Sequence, residues 1–530
     1  MWLRRSILLC TAICATALLE SGAASPSPPL AWPAEVRVGG GRITLDYAAL
    51  GGQRVVRLEG LRLWQERGGQ ALELRGASDG TPLALTARLD RPAANSRPVA
   101  LDIAAAGITA HAEGRISGAA LEVTLSVRGD SADLRRLVPG FPLAGPFALD
   151  TRVTHHPERT VADDIRLVSA GTVASGQLEL VPGRPPRLKG SVHADSVTLD
   201  GDAGGGSGRG GGAGRGPSLP DTPLPLPALG RIDVELDLRL AKLALGERLR
   251  LQDVAATLLA AGQRARLTAD AISFAGSTYQ LRLVLDETAA EPSVSLDLGS
   301  EDADLGALVA LWGAPGLFDA RGRIKIDLTA HGASPRALAR SLNGRAAAYF
   351  VNGRINADAA GAPVVGVQRF LGLVGAAGRR EWAAMPCLVM RLDAVDGVVR
   401  PEVLLIDTAQ ATTIGDGKLD LREERWALTL TPQPKGLDVS LGIPVRVSGP
   451  LAAPRVGLDE AGLAGTVGRL IGTAILFPPA LLADAFIGVM PNDPCGQILQ
   501  RGVPRVTPRQ LPGQGVVDGV TQGLRNLFGR

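Results

Sequence analysis

Apolar and polar residues alternate along most of this chain. In RITLDY (42–47), Ile43, Leu45 and Tyr47 fall on one side and Arg42, Thr44 and Asp46 on the other. The same period of two returns in RVVRLEGLRLWQ, LALTARLD and LEVTLSVRG, and after residue 228 in RIDVELDLRLAKLAL and YQLRLVLDE. Runs of this kind, bounded by Gly, Pro, Asn or Asp, mark half-buried antiparallel strands. The pattern predicts a mainly β fold: one long, curled antiparallel sheet, groove-like and repetitive, with a few short helices and an apolar C-terminal helical segment. Ile43, Leu45, Leu236, Leu238, Ile324, Ile326 and Leu328 represent its apolar face.

Helical spacing is confined to short stretches. SADLRRLV (131–138) is expected to start at Ser131 as N-cap, and further helices are expected at 304–312, 335–343 and 363–375. The third has Ser334 at the cap, Pro335 in the first turn and Gly344 just past the end. Two Asn-Gly pairs, Asn343-Gly344 and Asn352-Gly353, read as turns framing the apolar run Ala346–Val351. There is also an internal echo. Ala132-Asp133-Leu134 and Ala303-Asp304-Leu305 each follow a strand-like segment and open a short apolar helix, a degenerate repeat of architecture.

These textures divide the chain into an export segment at 1–24, β regions at 34–200 and 228–340, a Gly/Pro-rich linker or loop insertion at 201–227, a further β region at 341–457, the apolar helical segment at 458–500 and a basic tail at 501–530. The start reads as a signal peptide or signal-anchor. Arg4 and Arg5 precede an apolar run from Ser6 to Leu19, which suits a signal h-region better than a span of roughly 20 residues. Cleavage and retention in the membrane both remain open. Beyond that segment only Cys387 and Cys495 occur, read either as one disulfide of an oxidising compartment or as two buried thiols.

Composition narrows the function. The chain is 45% apolar but only 3% aromatic, so few rings are available to stack on bases or sugars. Its formal net charge of +3 is too balanced for an electrostatic nucleic-acid binder. The Gly-rich insert lacks a following Gly-Lys-Ser/Thr and is no phosphate loop. The five histidines, His111, His155, His156, His193 and His331, are scattered, and no HExxH, GxSxG or CxxC occurs. The expectation is a protein that is not an enzyme, with no catalytic, cofactor-binding or metal-binding residues.

The order of short motifs resembles the AsmA-like proteins of Gram-negative bacteria. It is carried by DSADLRRL (130–137) and EDADLGAL (301–308), then by SPRALARSLNGRAAAYFVNGRI, DAVDGVV, LLIDTAQATTIGDGKLDL and IPVRVSGPLAAPRV, the last four resembling the family's C-terminal region. CLVM at 387 and NDPC at 492–495 look like one branch in which both cysteines recur. The resemblance implies an exported protein in the periplasm, associated with the inner membrane and active in outer-membrane biogenesis. Its implied partners are phospholipid or another acyl-chain ligand, the inner membrane and outer-membrane assembly proteins.

Geometry leaves two readings. About 25 strands at roughly 4.8 Å spacing would build a ribbon on the order of 120 Å long. The few expected helices cannot cover its apolar face, which then lines a groove for acyl chains. Alternatively, sub-sheets pack face to face as ordinary sandwiches. The corresponding functions are binding or conducting phospholipid between membranes, or acting as a periplasmic assembly factor in targeting proteins to the outer membrane, without lipid transport.

Overall fold

A computed structural model describes residues 35–47, 52–133, 145–199, 219–222, 232–311, 315–356, 382–435, 444–458 and 494–501, apart from a few turn positions within those ranges. The described residues are mainly β, with 26 strands in one mixed sheet and three short helices. The chain divides into two compact units. The first holds residues 1–215, 220–298 and 329–338, the second 216–219, 299–328 and 339–530.

The first unit is an up-and-down meander. β1 (Glu35–Val38) and β2 (Gly41–Tyr47) pair side by side along β3 (Gly52–Glu66). Then β4 (Gly69–Ser78), β5 (Thr81–Leu89), β6 (Arg97–Ala105), β7 (Ile108–Ser117), β8 (Ala120–Asp130), β9 (Pro146–His156), β10 (Arg159–Ser169), β11 (Thr172–Val181) and β12 (Arg187–Leu199) each pair antiparallel with the strand before. Two-residue turns set the register, as at Ala106-Gly107, where φ values of 52° and 80° match a hairpin turn that glycine makes cheap.

The expectation of a wholly antiparallel sheet fails at one place. β13 (Asp233–Leu245) lies parallel to β12, with Leu188 opposite Val234 and Val192 opposite Leu238. The residues between Leu199 and Asp233 are long enough to carry the chain back along the strand, so the next strand starts at the same end. A tight hairpin cannot do this. β14 (Leu249–Ala261), β15 (Arg264–Phe274) and β16 (Ser277–Asp286) return to antiparallel pairing. Within the insert, Pro220 accepts a hydrogen bond from the Arg336 amide (3.2 Å), and Asp221 accepts one from the Ser334 hydroxyl (2.7 Å).

β17 (Ser293–Asp304) leads into α1 (Leu305–Leu311), capped by the Asp304 carboxylate on the Ala307 amide at 2.9 Å. The upstream copy of the echo also turns helical after a strand, at 131–133, but Asp130 caps it through the Ala132 amide rather than Ser131. The aligned Ala-Asp pair therefore lies in the helix of one copy and at the strand end of the other. After β18 (Phe318–Asp319) and β19 (Arg321–His331) comes α2 (Pro335–Arg340), with Ser334 accepting from the Ala337 amide as its composition predicts. The helix expected at 363–375 lies outside the described residues, as do the leader, residues 459–493 of the apolar segment and the tail beyond Arg501.

The second unit contains β20 (Asn343–Ile355), β21 (Ala383–Val395), β22 (Val398–Asp407), β23 (Ala411–Asp420), β24 (Arg425–Pro434), β25 (Val445–Pro450) and β26 (Arg455–Leu458) in antiparallel succession, and α3 (Pro494–Arg501). The two Asn-Gly pairs are not turns, since both lie inside the single strand β20. Gly344 is there because the β19 backbone at Asp327–Leu328 passes too close for a Cβ, while Asn343 accepts the Asp396 amide at 3.0 Å.

Candidate functional site: the apolar faces of the sheet

In the first unit the register lines up apolar side chains into rows that cross strand after strand. One row runs Leu89, Val99, Gly114, Val123, Val153, Ala162, Leu178, Gly190, Leu236, Leu258, Leu267 and Leu283, each residue directly opposite the next. A second row contains Val192, Leu238, Ala256, Ala269 and Leu281. Neither carries a charge. Leu101, Ala112, Leu121, Val123 and Val153 pack into a buried cluster with Leu85, Ile103 and Leu125 around it.

Further along, the same face stays partly open. Leu236, Leu238, Leu240, Leu258, Leu267, Leu281 and Leu283 all keep part of their surface accessible, whereas Glu235, Asp237 and Arg239 between them point to solvent. In a sandwich core those leucines would be shielded by a facing sheet. Two details of the backbone shape the face. Asp164 (φ 53°) and Asp253 (φ 48°) sit where the pairing slips, and such bulges bend a strand and increase its twist.

The opposite face of this unit is laced with ion pairs. Arg115 meets Glu122 and Arg128 meets Asp150 across adjacent strands at 2.7 and 2.8 Å, and Lys189 meets Glu235 across the parallel pair at 3.0 Å. The His111 Nδ1–H donates to the Asp102 carboxylate at 2.7 Å, and this hydrogen bond holds its imidazole above the usual range. These exposed pairs fix register more than they add stability.

The second unit has two distinct apolar surfaces, one on each side. Gly322 packs against Phe350 and Gly344 against Leu328, so Ile324, Ile326 and Leu328 share a face with Ala348 and Phe350. That face continues through Leu388 and Met390 to Leu404 and Ile406. On the other side, Tyr349, Val389 and Leu405 stand directly opposite one another in an island with Ala347 and Val403. Helix α3 covers this island with Cys495 and Ile498, and Cys495 is disulfide-bonded to Cys387. Beside it, a pairing slip at Arg391–Leu392 brings Glu402 to within 2.7 Å of the buried Arg391. A hydrogen bond shared with Asp393, then burial, pushes the Glu402 carboxyl up.

The expected face residues are therefore distributed as follows. Leu236 and Leu238 lie in apolar rows of the first unit, and Ile324, Ile326 and Leu328 on one apolar face of the second. Ile43 and Leu45 occupy β2 opposite Val56 and Arg54; their side chains lie outside the described residues. Cys387 and Cys495 are joined, fully buried, on the side of the second unit away from Ile324. Sequence reasoning did not find the island. Its signal was YFV and CLVM, runs in which both strand faces are apolar. Among the described residues no group of His, Cys, Asp and Glu could hold a metal ion, and no helix is long and apolar enough to cross a membrane.

The described residues thus define a mainly β protein built on an open mixed sheet with apolar surfaces. Of the curated proteins, the AsmA family protein YhjG of Escherichia coli (strain K12) is similar, 27% identical over 160 residues. That stretch is 30% of this chain and 23% of YhjG. The resemblance to the AsmA family read from the motifs is thereby supported. No family model matches the chain, and no solved structure matches it.

Proposed function

We propose that this protein is a non-enzymatic envelope protein of the AsmA type that holds phospholipid acyl chains on the apolar face of its sheet. The observation that carries the reading is the half-open state of uncharged rows such as Leu236–Leu258–Leu267–Leu283. Covering a further ~40 Å² on each such leucine would contribute about 1 kcal/mol per residue, enough in sum to retain a lipid chain. The similarity to YhjG supports an envelope location, and the disulfide suits an oxidising compartment. The role in outer-membrane biogenesis, inner-membrane association and conduction between membranes follow as parts of the same proposal.

Native mass spectrometry of the purified protein tests it. Phospholipid should co-purify, and the double variant Leu236→Asp/Leu238→Asp should lose it while keeping its β circular dichroism. Lipid-free wild-type protein, or unfolding of the variant as expected for a closed sandwich, would overturn the reading.

A further inference from the structure

Two carboxyl groups meet beside the island of the second unit. Along β21, Arg391 and Asp393 continue the alternation of Cys387 and Val389 and so project on the α3 side. Arg391 stands opposite Val403 and Leu392 opposite Pro401, which leaves Glu402 as the extra residue of a β-bulge. The bulge brings Glu402 to these side chains. Its Oε2 is 2.7 Å from the Nε of the buried Arg391, and its carboxyl is hydrogen-bonded to that of Asp393. The Asp393 Oδ1 is itself buried and has no N–H donor among the described residues.

A bond between two carboxyls requires a proton on one of them, because an ionised carboxyl only accepts. The surroundings are otherwise mixed in charge. The hydrogen bond with Asp393, then burial, pushes the Glu402 carboxyl up, and the charges of Arg391 on β21 and Arg345 on β20 act against this. Arg400 of β22 stands opposite Asp393 and is exposed. On β23, Asp416 accepts from the Gly417 amide at 2.7 Å, and the Lys418 ammonium donates to Asp420 at 3.1 Å. The charged residue of α3 is Arg501, at its end.

We propose that Asp393 and Glu402 share one proton and make the β21–β22 seat of the island sensitive to pH: tight while the proton is held, looser once both carboxyls are ionised. Two adjacent carboxylates repel, and the pair then loses the hydrogen bond that satisfies its buried side. Val389 and Val403, which line the island, lie on the same two strands, so the strain falls where α3 is seated. The sign follows from linkage. Glu402 binds its proton more tightly folded than unfolded, so the seat is most stable at or below the ordinary glutamate value of 4.5 and weakens as pH rises through the folded value. This device is independent of acyl-chain binding by the first unit.

Hydrogen-exchange mass spectrometry of the full-length, disulfide-bonded protein tests it. Peptides from β21 and β22 are compared between wild type and Glu402→Gln at the same pH, so that the intrinsic pH dependence of exchange cancels. The glutamine amide donates to Asp393 at every pH. The two proteins should therefore exchange alike at pH 4, and wild type should exchange several-fold faster at pH 8. Asp393→Asn, which supplies a permanent donor from the other side, should behave as Glu402→Gln does. Asp416→Asn, on the neighbouring strand, should behave as wild type. A ratio of wild-type to Glu402→Gln exchange that is the same at both pH values overturns the proposal. So does faster exchange by both isosteric variants at pH 8, which would mark Glu402 as an ionised partner of Arg391 alone.

Discussion

His111 and His155 lie on adjacent regions of one sheet, and their neighbours send them in opposite directions. His111 faces Asp102 directly across β6 and β7, with Glu113 at 3.2 Å on its other nitrogen, so its protonated form is favoured. His155 lies between Leu121 and Thr160, where burial, followed by the charge of His156, favours its neutral form. Because the folded-state pKa of His111 is raised, its contribution to stability is complete below the unfolded value near 6.5 and disappears as pH rises through the folded value. Both partners are largely exposed, which limits that contribution to less than about 1 kcal/mol. In an NMR titration the His111 midpoint should lie above 6.5, and Asp102→Asn should bring it down. An unmoved midpoint would mean that the pair is not formed in solution. Nothing in the string DIAAAGITAH distinguishes this histidine from the others; the pairing of Asp102 with His111 emerges only once the Ala106-Gly107 turn sets the register.

Among elements, the contrast is between strands open on one side and strands enclosed on both. β13 alternates accessible leucines with exposed charges, whereas β20 and β21 bury Tyr349 and Val389 on one face and Phe350 and Leu388 on the other. A cavity left by Phe350→Ala should therefore cost about 3–5 kcal/mol, since the surroundings are closed and cannot collapse onto it fully. Leu238→Ala should cost less than the ~2 kcal/mol at the lower bound for buried leucines, because its face is already in contact with solvent. Urea denaturation midpoints of the two variants provide the comparison. Equal losses would show that the Leu238 face is covered as completely as a core.

At the scale of the molecule, the described strands contact chiefly their hydrogen-bonded neighbours, so within each unit stability is transmitted largely from strand to strand. The disulfide between Cys387 and Cys495 closes a separation of 108 residues, and in the chain-entropy model it stabilises the second unit by roughly 4–5 kcal/mol. Cys495→Ser should consequently raise hydrogen exchange in β20–β22 around the α3 seat, while peptides from β13–β15 keep their protection. Hydrogen-exchange mass spectrometry measures this directly. A uniform rise across both groups of strands would indicate one global cooperative unit.

Alternation in segments such as RITLDY and RIDVELDLRL determined by itself that the chain is built of strands with one apolar and one polar face, because a period of two commits side chains to opposite sides of an extended backbone. The Ser334 cap was legible locally as well, and the two cysteines stood out as a candidate pair because no others follow the export segment, although whether they join was left open. Only the tertiary structure decided that β12 and β13 run parallel, that both Asn-Gly pairs lie within a strand, and that the α3 island lies on the side opposite Ile324 and Ile326. Those features depend on register between strands and on the direction in which a long connection returns, which are relations between distant residues that no single segment contains. The half-open leucine rows join the two levels: the chain supplies their apolar residues, and the stacking of strands leaves those leucines partly accessible among the described residues.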